Sequence, residues 1–403
     1  MYTVNDNSLQ SIADSIRKKA KKTEKLSFPA GFVSAIDGIE TGGGSAPVVV
    51  EEPEEKDVNF YDYDGRRLFS YTSEEAAALT ELPTPPGHEG LVFQEWNYTL
   101  DEVKEHAEAA DIGALYTTDD GATRAEIELS AYLDVLLRFT QTKASGVLID
   151  WGDGNSERSG VSASYLHNYE SPGAYVITLT VDDDCTITLG ANGSYFINIS
   201  SLNISASQNV LRNLYIGDRV TKIGTAAFAR HYELRTISMN NRVLVLEKEC
   251  FRESAISFIT IPPGVYTIPD SSFTNCRQMR HISIPIAVNV LGKYFLSTAL
   301  VLKRISITEN VTLISNGFCS QCKGLERAVF YGKIESFQGS LLDDSYSLKT
   351  VDLTHCEAIP TLQSTLNFSG APSSLEILVP AALAEEWKQA TNWTKYANNI
   401  KGV

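Results

Sequence analysis

Hydrophobic positions in the second half of the chain recur on a near-constant beat. Leucine-type anchors fall at Leu211, Leu234, Ile256, Met279, Leu302, Leu325 and Leu348, at intervals of 23, 22, 23, 23, 23 and 23 residues. Three and five residues after each anchor stands a further, mostly apolar, pair, as in Ile259/Ile261, Ile282/Ile284 and Ile305/Ile307. These alternate with polar neighbours, the period-2 pattern of a short half-buried strand. A second ladder of Phe228, Phe251, Phe273, Phe295 and Phe318 keeps the same beat, with Ile223, Leu246, Ile268, Val290 and Leu313 five residues before each. The Phe-centred stretches are too short for full helices and read as a turn of helix or 3₁₀ on the opposite side of each coil. Such self-similarity predicts a solenoid, in which one coil buries its apolar edge only by stacking on the next.

The segments ITIPPGV at 259, SSFTNCRQM at 271 and GFCSQCKGL at 317 carry this period. They resemble the BspA-like leucine-rich repeat family of bacterial and viral surface proteins, over roughly 200–380. The ending ILVPAALAEEWKQATNWTKYANNI resembles that family's terminus. It implies a last strand (Ile377, Val379) running into a helix with Leu383, Trp387 and Trp393, which covers the open edge of the final coil. The expected boundaries are a solenoid over 191–380 and a cap over 381–403.

Upstream, Leu9, Ile12 and Ile16 fall on one helical stripe, with Asn7 or Ser8 as N-cap, and FPAGFVSAIDGI suits a second short helix. Residues 1–40 thus read as a small helical head with too little core to stand alone. Residues 41–56, rich in Gly, Pro and Glu, read as a linker. Residues 57–128 read as an α+β module. DVNFYDYDGRRLFSYT predicts a hairpin turning at Asp64-Gly65, with Val58 opposite Tyr71, Phe60 opposite Phe69 and Asp62 opposite Arg67. Helices are expected in SEEAAALTEL and in EWNYTLDEVKEHAEAA, the second capped by Thr99 or Asp101. The head resembles the N-terminal segment of tail and baseplate proteins of phages of Gram-positive bacteria, and the run FYDYDG, WNYTLDEV, IGALYTTDDG resembles a module of phage tail proteins. The resemblance implies that residues 1–40 attach to other virion tail or baseplate proteins and that the chain forms a homo-oligomer, such as a trimer.

Within 129–190, LIDWGDGNSE at 148 is followed by YLHNYESPGAYVITLTV at 165. Trp151, Gly152, Asp153, Gly154, His167, Tyr169, Pro172, Gly173 and Tyr175 match the pattern of PKD domains, which these residues resemble; Ile177 stands where that family has Val. The resemblance implies an immunoglobulin-like β-sandwich serving as spacer or adhesive module. Independently, Tyr175-Ile177-Leu179-Val181 alternates as an inward strand, and Trp151 suits a sandwich core. The fold class expected is therefore multidomain and mainly β, with a helical head, an α+β module, a β-sandwich and a capped leucine-rich repeat solenoid.

A formal net charge of −16 argues against nucleic acid, whose affinity rests on Lys/Arg neutralisation of phosphates; the basic run RKKAKK at 17–22 reads as a solvated helix face. No stretch approaches the length and apolarity of a membrane span, and the N-terminus lacks an apolar signal core. The expected setting is a virion tail, made in the host cytoplasm. Cys276, Cys322 and Cys356 track the repeat and read as small buried hydrophobes; Cys319/Cys322 form a CxxC without a second pair. The six histidines are scattered, and no nucleophile elbow, phosphate loop or dinucleotide fingerprint is present. No enzyme and no cofactor is expected.

Two sets of candidate site residues remain. Asp150, Asp153 and Glu157 are weak calcium candidates, since that ion takes carboxylate oxygens, although turn chemistry accounts for them as well. On the solenoid, residues two and four past each anchor point away from the core. Among them Tyr215, Phe258, His281, Arg304, Arg327 and Asp352 stand out from a field of Ser and Thr as a contact patch for a carbohydrate or protein ligand, with solvated β-surface as the alternative. The functional expectation is a non-enzymatic phage tail fibre or baseplate protein displaying the solenoid to a host-surface receptor. The alternatives are a structural head fibre or decoration protein and a bacterial cell-surface adhesin.

Overall fold

The structure, a computed structural model, describes residues 52–191, 193–200 and 210–403. The expected helical head and most of the linker lie outside the described residues. The first element is a four-stranded mixed sheet in the order β2-β1-β4-β3: β1 (Val58–Tyr61), β2 (Arg67–Tyr71), β3 (Leu91–Trp96) and β4 (Ala110–Thr118). Two one-turn helices, α1 (Ser73–Ala77) and α2 (Leu100–Glu105), complete it. Each begins with a capping box, Thr72 with Glu75 and Thr99 with Glu102, which satisfies otherwise orphaned N–H groups. The hairpin pairs Val58 with Tyr71 and Phe60 with Phe69 as its pattern predicts. A bulge after Phe60 then sets Tyr61, not Asp62, opposite Arg67, so Asp62 enters the turn and is buried there.

Strand β5 (Thr123–Leu129) leaves this module although its sequence was expected to belong to it. It joins β10 (Gly173–Val181), β7 (Val147–Asp150) and β8 (Ser156–Arg158) in one sheet. A facing sheet holds β6 (Asp134–Gln141), β9 (Ser164–Asn168), β11 (Ile187–Leu189) and β12 (Ile197–Ile199). The two sheets share a core in which Trp151, Ile177 and Leu179 are buried, with Tyr175 and Val181 packed at its margin. This two-sheet body is not a separate bead. Strand 211–215 of the first coil pairs antiparallel with β5, and strand 220–223 pairs parallel with β11. Both sheets run directly into the two ladders of the solenoid, so the body covers the apolar edge that the first coil would expose.

The solenoid has two parallel ladders. The front ladder comprises Leu211–Tyr215, Thr236–Ser238, Phe258–Thr260, His281–Ser283, Arg304–Ile307, Arg327–Phe330, Thr350–Asp352 and Glu376–Val379. The back ladder runs from Val220–Ile223 to Thr361–Leu362 in strands of two to four residues. All seven anchors and all five repeat phenylalanines are fully buried. The rings form an unbroken spine: Phe196 to Phe228 at 5.7 Å, then steps of 5.4, 5.3, 5.9 and 5.9 Å to Phe318, and on through Phe330 and Phe337 to Trp393. The back ladder slips relative to expectation in two coils. Val290 and Leu313 face solvent, and Leu291 and Ile314 take the core positions.

The Phe-centred corners are turns, not helical or 3₁₀ elements. Two residues per coil, four apart, adopt positive φ: Ala226/Arg230, Glu249/Glu253, Ser271/Asn275, Tyr294/Thr298 and Gly317/Gln321. Non-glycine residues there cost about 1 kcal/mol or more each. The compensation is a third set of coil-to-coil bonds, in which Phe228 N–H donates to Cys250 O, Phe251 to Ser272 O and Phe273 to Phe295 O.

At the C-terminal end, strand 376–379 leads through a 3₁₀ turn (Ala381–Leu383) into α3 (Ala384–Gln389), with Trp387 and Trp393 fully buried. The expected cap gains a strand: Ile400–Gly402 returns to pair parallel with 376–379.

Candidate binding surface

The front ladder was expected to be an open face. It is largely roofed by the α+β module, and this corrects the proposed contact patch. Phe258 is 3% exposed and lies against the Tyr61 ring at 5.3 Å. His281 stacks on Tyr61 at 4.6 Å, with Tyr61 Oη 3.1 Å from its Nδ1. Arg304 is committed to β4: its guanidinium pairs with both carboxylate oxygens of Asp111 and donates to Lys56 O at 2.8 Å and Ala110 O at 3.1 Å. Ser283 Oγ donates to Asp111 O at 2.6 Å, and Tyr98 Oη to Ile284 O at 2.7 Å. Ile286 of the solenoid enters the module's own core. Further along, His106 meets Glu309 at 2.6 Å and His355 meets Glu108 at 3.1 Å. Phe258, His281 and Arg304 therefore belong to an internal interface, which explains their departure from Ser and Thr.

Electrostatics follows from this burial. Desolvation alone would raise the Asp111 carboxyl, but the Arg304 guanidinium and His281 overcome it and hold Asp111 well below the usual carboxylate range. Burial opposes the charge on Arg304, and Asp111 reverses that effect. Arg327 remains partly exposed and pairs at 3.3 Å with Asp352, which is itself buried and also accepts Thr354 Oγ1 at 2.7 Å.

The calcium candidates are not brought together as a cage. Asp150 accepts Gly152 N–H at 2.9 Å, Asp153 accepts Asn155 N–H at 3.0 Å and bonds His167 at 2.7 Å, and Glu157 accepts the Trp151 indole N–H at 3.2 Å. Each of the three carboxylates thus serves a turn or an aromatic neighbour, His167 being stacked on Trp151 at 4.7 Å. Among the described residues, no group of three or more metal-ligating side chains is placed to hold an ion. All six cysteines are buried free thiols, and burial pushes Cys250 and Cys276 up to about 12, which removes thiolate chemistry near neutrality. No described helix is long and apolar enough to cross a membrane.

Of the expected patch, Tyr215 lines an open cavity. A cleft of about 420 Å³ lies where the module, β5 and the first coil converge. Its walls include Tyr63, Tyr215, Glu89, Asp119, Glu126 and Arg124. The two tyrosine rings form a corner, 6.2 Å apart at 63°. Among the described residues neither hydroxyl has a hydrogen-bond partner, and neither Glu89 nor Asp119 has a side-chain partner. Glu126 accepts Asn213 Nδ2 at 2.6 Å, and Arg124 is held by Asp120. Desolvation, then Glu126, pushes Tyr215 up to about 12, so its hydroxyl stays protonated. Sequence reasoning missed Tyr63 and the carboxylates because they come from segments far apart in the chain.

None of the curated proteins compared matches this chain. A solved leucine-rich repeat protein from Bacteroides ovatus ATCC 8483 is 21% identical, over 41% of this chain and 48% of that one, with a TM-score of 0.30; the match thus spans about half of that protein. The family described as the BspA type leucine rich repeat region matches in six copies, over residues 203–326 and 245–365. These are the coils whose phenylalanines stack in the spine, and the solenoid of this chain is built from leucine-rich repeats of the BspA type.

Proposed function

We propose that this chain is a non-enzymatic adhesion protein whose leucine-rich repeat solenoid serves as a rigid platform for recognising a carbohydrate or protein on a host surface. The observation that carries this reading is the junction cleft, with its aromatic corner and hydrogen-bonding groups left without partners. Polar groups held at a concave site with apolar rings are the usual make-up of a binding pocket. In this reading the chain sits on a phage tail, as fibre or baseplate protein, with residues 1–40 attaching it to other tail proteins. The body built on β5–β12 acts as a PKD-like spacer. Several copies on one particle raise weak single-site binding by effective concentration, by roughly 10²–10⁴.

A second reading, a bacterial cell-surface adhesin, is favoured by the BspA-type repeats themselves. Labelled full-length protein should bind intact host bacteria or purified wall polymers. Deleting residues 1–44 should abolish incorporation into phage particles and leave cell binding intact. Loss of neither would remove the attachment role and favour the second reading; absence of any cell or polymer binding by the full chain would remove adhesion.

A further inference from the structure

Resting on the adhesive reading above, we infer that the junction cleft binds a short oligosaccharide that is neutral or carries amino groups, and discriminates against acidic sugars. Tyr63 and Tyr215 meet at 63°, so they offer an angled apolar corner on which the C–H faces of a pyranose ring pack. The hydroxyls of both rings, without partners among the described residues, supply polar groups at the rim.

The charge of the cleft decides the ligand class. Glu89, Asp119 and Glu126 contribute three carboxylates, against the single cation Arg124. That cation is already neutralised by Asp120, with Nη1 to Oδ1 at 3.0 Å. Carboxylates accept hydrogen bonds from sugar hydroxyls and attract ammonium groups. A uronate, sialate or phosphate polymer would instead bring like charge against three carboxylates. The net charge of the whole chain, −16, acts in the same direction at longer range.

Four segments of the chain build the site. Tyr63 lies in the hairpin turn between β1 and β2, Glu89 precedes β3, Asp119 lies in the β4–β5 connection with Arg124 and Glu126 following on β5, and Tyr215 ends the first strand of the solenoid. The roofing of the front ladder thus creates a cleft that neither the module nor the solenoid has alone.

The test uses the full chain on a glycan array carrying neutral, amine-bearing and acidic oligosaccharides, followed by calorimetry with the glucosamine tetramer, the N-acetylglucosamine tetramer and tetragalacturonate. Binding confined to neutral or amine-bearing members is expected. Tyr215→Ala should weaken it at least tenfold, and Glu89→Gln with Glu126→Gln should lower the preference for amine-bearing over neutral sugars by about tenfold. Tyr266→Ala, on the opposite ladder, should change nothing. Because Tyr63 packs on Tyr116 and His88, only Tyr63→Phe is used there, and each variant's thermal melt is compared with the parent. Acidic sugars binding tightest, a silent array, or undiminished binding by a folded Tyr215→Ala protein would overturn the assignment. Cell attachment is read in parallel: attachment that survives Tyr215→Ala overturns the cleft and leaves the adhesive reading standing. Sugar binding without cell attachment does the reverse.

Discussion

The Asp111–Arg304 pair is a buried charge contact between the α+β module and the solenoid, and its removal gives a direct measure of how firmly the roof is held. Their side chains are 10% and 13% exposed. Removing one partner of a buried pair costs about 3–5 kcal/mol, because the other charge is left uncompensated. Here each survivor keeps some support. Asp111→Ala leaves Arg304 its bonds to Lys56 O and Ala110 O and a contact with Glu55 at 3.6 Å. Arg304→Ala leaves Asp111 with His281 at 3.7 Å. We therefore expect about 3 kcal/mol for either single change. The double change should cost well under the sum, with a coupling of about 2 kcal/mol. Denaturant unfolding gives the energies, and hydrogen exchange at 281–283 and 304–307 shows whether the loss is local to the roof. The pH dependence has a definite sign. A carboxyl held below its unfolded value of about 4 stabilises above that value, and the contribution is lost as pH falls from there toward the folded pKa. The roof should loosen in acid, and Asp111→Ala should flatten that acid limb. Single changes costing under about 0.5 kcal/mol, or strictly additive ones, would refute the reasoning.

Three further outcomes test other parts of the fold. A Cβ at Gly113 would sit 2.0 Å from Thr260 Oγ1 and 2.7 Å from its Cβ, so Gly113→Ala should destabilise docking by about 1–3 kcal/mol; Thr260→Gly should restore most of it, and a neutral Gly113→Ala would show the two surfaces are not in contact. His231 is fully buried between Ala229 O and Ile197 O, and burial pushes it down to about 4. Its unfolded form binds a proton near pH 6.5 while the folded form does not, so stability falls as pH drops from about 6.5 to 4, by about 2 kcal/mol at pH 5; His231→Gln should remove that slope in urea titrations at pH 7 and 5. Phe273→Ala, mid-spine, should cost about 3–5 kcal/mol, and a cost below about 1 kcal/mol in chemical denaturation would mean the rings are not a shared core.

How much of this was legible follows from the range over which each contact acts. The anchors, the Phe spine and the capping tryptophans rest on spacing along the chain, and all are buried where the period places them. A count of five back from Phe295 and Phe318 falls on Val290 and Leu313, which face solvent. Counting forward from Val220, Val243, Val265, Val288 and Val311 keeps the buried residue three positions on in every coil, at Ile223, Leu246, Ile268, Leu291 and Ile314. The bulge after Phe60 moved one hairpin pair, since a single extra residue shifts register. The merging of the sheets was illegible because β5 and strand 211–215 meet across more than 80 residues of sequence.

The roof has its own signal in the sequence of β4. Along β4, Ala110-Asp111-Ile112-Gly113-Ala114-Leu115-Tyr116 is apolar at both odd and even positions, and nearly every residue is buried. A strand with no polar face has to be covered on both sides. One side is the module's own core, which left the other in need of a surface. The outward row of the solenoid, with Phe258, His281 and Arg304 where Ser and Thr prevail elsewhere, offers that surface. Three of the residues that suggest an external ligand, Phe258, His281 and Arg304, are complementary to another part of the same chain, because an intramolecular interface and a binding face select the same buried aromatic and Arg residues. A solenoid face thus occupied is not the surface to search first for a receptor. On the adhesive reading proposed above, recognition falls instead to the region that docking creates, where Tyr63 and Tyr215 converge beside Glu89 and Asp119, since it exists only when module, β5 and first coil are assembled as a unit.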